Sequence, residues 1–228
     1  EACINANKEP KYTEEAIEKT MAGTDPYRYP NTDWWGLLFR TALQHKHTFS
    51  VNGGSEKLRT AVSVNYLKRE GVLINSNSEQ YGVRANNDIK LHEKLDFGFD
   101  VNLNVKSREV PARVGDVYWN LLHDVPPTVA ARNPDGTYPL GPTNRNPLAA
   151  AKESGYQRIK YYQVIASPSV KYQIYSDLSL TARASIKEDF EIGKRHNNFY
   201  EFKDYETKQV ALTLSLIHIS EPTRPEPI

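Results

Sequence analysis

The run Leu95 to Lys106, LDFGFDVNLNVK, constrains the fold more than any other stretch of the chain. Leu95, Phe97, Phe99, Val101, Leu103 and Val105 hold one parity, while Asp96, Gly98, Asp100, Asn102, Asn104 and Lys106 hold the other. Successive side chains of a strand point to opposite faces, so the run has one apolar and one polar face. An ordinary strand averages about 5–6 residues, whereas a tilted strand crossing a bilayer needs about 9–11. LDFGFDVNLNVK reaches the longer length.

The same period of two recurs around it. Phe49 and Val51 alternate with Thr48, Ser50 and Asn52, and GGSEK supplies a tight turn. Leu58, Thr60, Val62, Val64 and Tyr66 then share a face against Arg59, Ala61, Ser63 and Asn65. Beyond GVLINSNSEQ, Tyr81, Val83, Ala85, Ile89 and Leu91 alternate with polar residues, and a short turn at His92, Glu93 and Lys94 leads into the opening run. These four strands form a meander. Further strands are expected over Tyr162 to Ile174, with a bulge or edge at Pro168, and over Leu178 to Ile186. A polar connection, roughly residues 189–207, then precedes a strand at Val210 and Leu212.

The connections alternate between short turns and long loops, the longest running from Arg108 to about Tyr156 and rich in proline. Within it a helix is expected around Asp116 to His123. Tyr66, Tyr81 and Tyr162 lie near long-loop ends, and Tyr172 and Tyr175 near a short turn. Short turns on one side, long loops on the other and an aromatic girdle at each boundary describe a membrane barrel. A soluble antiparallel sheet with one solvated face gives the same alternation; strand length, loop asymmetry and tyrosine placement weigh for the barrel. The expected fold is all-β: an antiparallel meander that is a fragment of a large transmembrane β-barrel, with long outer loops and a short N-terminal helix. In this fold Leu95, Phe97, Phe99, Val101, Leu103 and Val105 face lipid.

Residues 1–42 read differently, as a helix and an irregular segment leading into a barrel part over residues 43–213. Thr13 is a plausible N-cap for YTEEAIEKTM, acids follow in the first turn, and Gly23 stops the helix. GTDPYRYPNTDWW is an ordered irregular segment in which Tyr29, Trp34 and Trp35 are read chiefly as packing anchors.

Composition narrows the function. The 29 lysines and arginines nearly balance the 28 aspartates and glutamates, so no overall charge footprint favours nucleic acid or anionic lipid as a partner. Cys3 is the sole cysteine, which rules out an internal disulfide framework. No apolar run approaches the ~18–20 residues of a transmembrane helix. No nucleophile elbow or phosphate loop is present, and GGSEK is a hairpin turn. His45 and His47 lack a third ligand nearby and are read as lumen or rim residues, so no metal, cofactor or enzymatic chemistry is expected. Recognition is expected from the long loop instead. Tyr118 and Trp119 can stack on sugar rings or peptide side chains, Tyr138 sits in a turn, and Arg113 and Arg132 can meet polar ligand groups. For Trp119, packing of a small helix inside the loop is the favoured alternative.

YPNTDWW, HTFSVNGGSEKLRTAVSVNYLKREGV, YGVRANNDIKLHEKLDFGFDVNL, PPTVAARNPDGTYP and NPLAAA, in that order, resemble the early barrel region of SusC/RagA-type TonB-linked outer-membrane receptors. The resemblance covers about residues 10 to 213. It implies part of a 22-stranded barrel in the outer membrane of a Gram-negative, Bacteroidetes-like cell. That barrel would import glycan or peptide fragments with a SusD-type lipoprotein lid and would be driven through TonB, contacted by parts missing from this sequence. A plug domain and a TonB-contacting segment are not found, and six or seven strands cannot close such a barrel. The last stretch, residues 214–228, resembles a reading frame of a sequencing adapter and is expected to be non-native. The alternatives are a soluble or surface β-sheet module for glycan binding or adhesion, and a passive porin.

Overall fold

The computed structural model describes residues 12–141, 145–207 and 209–214, which fall into two compact units. One, the loop unit, gathers the described residues of 12–40, 111–156 and 196–214; the other, the sheet unit, comprises residues 41–110 and 157–195.

The loop unit begins with α1, Glu14–Ala22. The Thr13 hydroxyl accepts from Ala16 N, Glu14 and Glu15 occupy the positive end of the helix dipole, and Gly23 closes the helix at φ 63°. A one-turn helix, α2, Trp34–Leu38, follows, capped by Asp33. The segment before α2 is tied to the long loop through its backbone. Thr32 N donates to Pro127 O (2.8 Å), the Thr32 hydroxyl to Val129 O (2.7 Å), and Trp34 Nε1 to Pro126 O (3.1 Å). Trp34 is buried as expected of an anchor, whereas Trp35 is exposed.

Inside the long loop, α3 spans Val114–Trp119 and widens into a π turn over Asn120–Asp124, so the expected helix starts earlier and changes winding midway. A second helix, α4, Pro147–Glu153, forms in the proline-rich part of the long loop, where the sequence predicts irregular structure. Asn146 caps it, accepting from Leu148 N and Ala149 N, and Pro147 sits at the helix start, where the missing N–H leaves no gap. The core is made by Leu38, Val117, Leu148, the Ala149–Ala151 run and Phe202, all nearly or wholly buried. Phe202 belongs to a small hairpin, β8 (Tyr200–Lys203) with β9 (Val210–Leu214).

The sheet unit is one antiparallel sheet: β1 (Gln44–Gly54), β2 (Leu58–Glu70), β3 (Asn77–His92), β4 (Leu95–Pro111), β5 (Gly155–Tyr175) and β6 (Leu178–Arg183), in sequential order, with β7 (Ile186–Asn197) also paired to β5. The connections at residues 55–57, 93–94 and 176–177 are turns at one end of the sheet, and those at 71–76 and 112–154 leave from the other. The strand β7 corrects the expectation of a polar connection from residue 189. Ala182 pairs with Val170, Ala184 N donates to Pro168 O (3.1 Å), Ser185 bonds Ser167 (2.9 Å), and Tyr162 stacks on Phe190. One register runs through all four contacts, so β6 and β7 are a single course interrupted at residues 184–185. Pro168 explains the gap: its carbonyl points at this partner, and it has no N–H to donate to the same side.

Gly155 joins α4 to β5 at φ 90°, where an added Cβ would lie 2.1 Å from the His196 carbonyl oxygen. A left-handed backbone costs a residue with a Cβ about 1–2 kcal/mol before any clash. Gly155→Ala is therefore expected to lower the melting temperature of the full-length protein, while Gly193→Ala, with open space at its Cβ, leaves it unchanged within error.

Candidate functional site

In the sheet unit the register assembles side chains into rows that cross every strand. On the parity of Phe99, one row reads His47, Tyr66, Tyr81 and Val105. Gln173 N donates to Lys94 O and Arg158 pairs with Glu109, and both contacts fit one β4/β5 register, which continues the row to Tyr162 and, across the stack, to Phe190. Its neighbours touch: Tyr66 and Tyr81 are 5.0 Å apart, and Tyr162 and Phe190 4.8 Å at 11°. His45 and His47 both sit against Tyr66 on this face, not on the polar one, and no trio of potential metal ligands occurs among the described residues.

Moving toward the short turns, the next rows are Phe49–Val64–Val83–Leu103 and Val51–Val62–Ala85–Val101, followed by Leu58–Ile89–Phe97 near the turns. They end at Leu95 and, on β5, Tyr172, which pairs with Leu180. Phe49, Val64, Leu103, Tyr172 and Leu180 are all well exposed, so no second layer covers this face within the unit. Polar side chains within the band are Thr60, Asn87 and Glu188. The Thr60 hydroxyl bonds Asn87 Oδ1 (3.0 Å) and Asn87 Nδ2 donates to Phe99 O (3.2 Å), so that pair is satisfied without water. Glu188 lies one step along β7 from Phe190, at the margin of the band.

The opposite face is mostly polar, broken by Ala61, Leu67, Ile159 and Ile165. Asn104 Nδ2 donates to Asn102 Oδ1 (3.0 Å), Arg84 Nε to Asn86 Oδ1 (3.1 Å), and Gln163 Nε2 to Asp189 Oδ1 (2.9 Å). Near the short turns it holds a groove of about 520 Å³ lined by Arg59, Asp88, Lys90, Asp96, Lys171 and Arg183 among others.

The loop unit disperses the five residues expected to meet a ligand. Arg113 is held by Asp116 (3.3 Å) at the start of α3. Arg132 and Tyr138 come together, but inward: Arg132 Nη2 donates to Tyr138 Oη (2.6 Å), which donates to Glu153 Oε1 (2.7 Å), and Tyr138 is 6% exposed. Burial, and then the hydrogen bond to Glu153, pushes the Tyr138 hydroxyl well above the usual phenol range. Tyr118 and Trp119 face outward. Trp119 does not pack inside the loop; it is 56% exposed and its ring lies against His123, tilted, at 4.4 Å. Tyr118 continues a ring series that the sequence reading missed, Trp35 on Phe39 (4.9 Å) and Phe39 by Tyr118 (6.4 Å). The WWGLLF spacing held the signal, since Trp35 and Phe39 are one helical turn apart.

Asn120, wholly buried in the π turn, has an amide with no hydrogen-bond partner among the described residues. A buried unpaired amide costs about 1–3 kcal/mol, and an apolar group of similar shape removes that cost. Asn120→Leu is accordingly expected to raise the unfolding midpoint of the loop unit, read by hydrogen exchange of the α3 amides.

No protein-family model matches the sequence. A TonB-dependent receptor P26 of Formosa agariphila is 33% identical over 165 residues, which is 68% of this chain and 16% of that protein. The TonB-dependent receptor SusC of Bacteroides thetaiotaomicron is 26% identical over 189 residues, 72% of this chain and 18% of its own length. The fold is that of the solved RagAB peptide importer in its closed-closed state, with TM-score 0.61 and 17% identity over 86% of this chain and 25% of the solved one. The chain belongs to the SusC/RagA-type TonB-dependent receptor family. It spans under a fifth of the length of these curated relatives. As a SusC/RagA-type segment, its sheet unit is a meander from a receptor barrel.

Proposed function

We propose that the chain is part of an outer-membrane TonB-dependent importer of glycan or peptide nutrients, supplying a stretch of the barrel wall and of the outer mouth. The observation that carries this reading is the aromatic row crossing β1 to β7 at one margin of an exposed apolar band whose other margin holds Tyr172. From Tyr162 to Tyr172 is ~10 residues at ~3.3 Å each, about 33 Å along the strand, and a tilt of about 40° brings this to ~25 Å. That is the height of the apolar band on an outer-membrane barrel. A Thr60–Asn87 pair that satisfies itself suits a surface with no water to bond.

In this reading residues 43–213 belong to the barrel part, with its long loop at about 108–157 on the outside. Residues 1–42 lead into it, and the 214–228 tail, outside the described residues from 215 onward, is adapter-derived. The polar face lines the lumen. The outward rings Trp35, Phe39, Tyr118 and Trp119 stand where a nutrient and a SusD-type surface lipoprotein meet. The cell is Gram-negative and Bacteroidetes-like, and the work is binding and passage, driven by the TonB complex through parts of the protein outside this chain. The test is fractionation of cells expressing the full-length receptor. The expected result is recovery in the outer membrane together with a surface lipoprotein; recovery as a soluble, cooperatively folding monomer overturns the reading.

A further inference from the structure

We propose that the apolar side of the sheet holds, just beyond the aromatic row, a site for the phosphate of an anionic membrane lipid; it rests on the wall reading above. In the aromatic row and the next row toward the long loops, β4 contributes the small side chains Val105 and Ser107 and its neighbours contribute long ones. Val105 lies next to Tyr81, and Ser107 next to Glu79. The β4/β5 register set by Glu109–Arg158 and Lys94–Gln173 places Lys160 on the other side of Ser107. The difference in size leaves an open trough of about 490 Å³ along β4, floored by Val105 and Ser107 and flanked by Glu79 and Lys160.

Charge selects the occupant. Glu79 is paired with Lys68 (3.7 Å) and Glu109 with Arg158 (2.5 Å), so both carboxylates in the trough are already neutralised. Lys160 is exposed and makes no ion pair among the described residues, leaving one uncompensated cation beside a serine hydroxyl. One net positive charge with a hydroxyl beside it matches one phosphate. The trough opens onto Leu103 and Val101 of the same strand, so a lipid whose phosphate meets Lys160 can lay its acyl chain down the apolar band. A soluble anion would gain nothing from that continuity. Basic side chains at the headgroup level are favourable sites for anionic lipid in general.

The experiment titrates the full-length receptor, purified in a neutral detergent, with phosphatidylglycerol, phosphatidylcholine and inorganic phosphate. Phosphatidylglycerol is expected to bind in preference to phosphatidylcholine. Lys160→Ala should weaken it by roughly tenfold, the loss for one charge-assisted hydrogen bond, and Lys160→Arg should restore it. Lys171→Ala, on the opposite face of the same strand, should leave it unchanged. Retained preference in Lys160→Ala, equal loss in Lys171→Ala, or equal binding of inorganic phosphate each overturns the lipid site. A receptor found outside the outer membrane removes the wall reading, whereas an inserted receptor without a Lys160-dependent preference removes this site alone.

Discussion

Phe99→Arg and Val101→Arg are expected to block assembly of the full-length receptor in the outer membrane, whereas Asn102→Arg is expected to assemble. Phe99 and Val101 sit mid-band on the apolar face, and Asn102, the next residue along the strand, points to the polar face. An arginine on the lipid face of a barrel costs about 2–4 kcal/mol at the midplane. The same side chain on the wet face has water around it and the Asp100 carboxylate and Asn104 amide beside it, which offset the like charge of Arg84 directly across the pair. Heat-modifiable migration of the folded barrel on gels reads the outcome: a folded band for Asn102→Arg and its absence for the other two. Equal assembly of all three would contradict the assignment of faces.

Phe202→Ala is expected to loosen the loop unit and leave the wall standing. Phe202 is 1% exposed, meets Tyr200 edge-on at 5.5 Å, and lies beside Tyr138, whose carbonyl accepts from Lys203 N (3.0 Å). Truncating a buried phenylalanine costs about 3–5 kcal/mol. The unit's core is small and includes the short side chains of the Ala149–Ala151 run, so little else can fill the space. Surface proteolysis of intact cells should then cut within residues 112–154 far faster than in the parent, at unchanged receptor abundance. Unchanged cleavage would mean that the hairpin is not part of that core.

The strands β1 to β4 were legible because their apolar and polar residues alternate, and the short turns at 55–57 and 93–94 leave no slack in the β1/β2 and β3/β4 registers; β5 was legible only from Tyr162, because Tyr161–Tyr162 and Val164–Ile165–Ala166 blur its alternation and its pairing with β4 is made across the long loop. The course of β7 was not, because Lys187, Glu188 and Asp189 are consecutive charges and Glu191, Lys194 and Arg195 follow close behind, which erases the alternation. Its pairing with β5 decides its fold, and pairing is a long-range property. The helix α4 carried a readable local signal, Asn146 as cap and Pro147 at the first position, that the surrounding prolines masked. For the candidate site, residue type was informative and direction was not. Tyr138 and Trp119 are both aromatic residues of one loop, yet one is locked between Arg132 and Glu153 and the other faces outward. That difference is set by the packing of α3, α4 and the β8–β9 hairpin, none of which the local sequence encodes alone. The ring series from Trp35 to Tyr118 likewise joins segments far apart in the chain.

The most direct test of the wall is a single-cysteine scan of β4 from residue 96 to 105 in the full-length receptor, labelled with an environment-sensitive fluorophore and quenched by brominated lipid. Odd positions from Phe97 to Val105 are expected to be quenched and even positions from Asp96 to Asn104 spared, with the depth of quenching greatest near Phe99 and Val101. Quenching that ignores parity, or that falls on the even positions, would contradict a lipid-facing strand at LDFGFDVNLNVK.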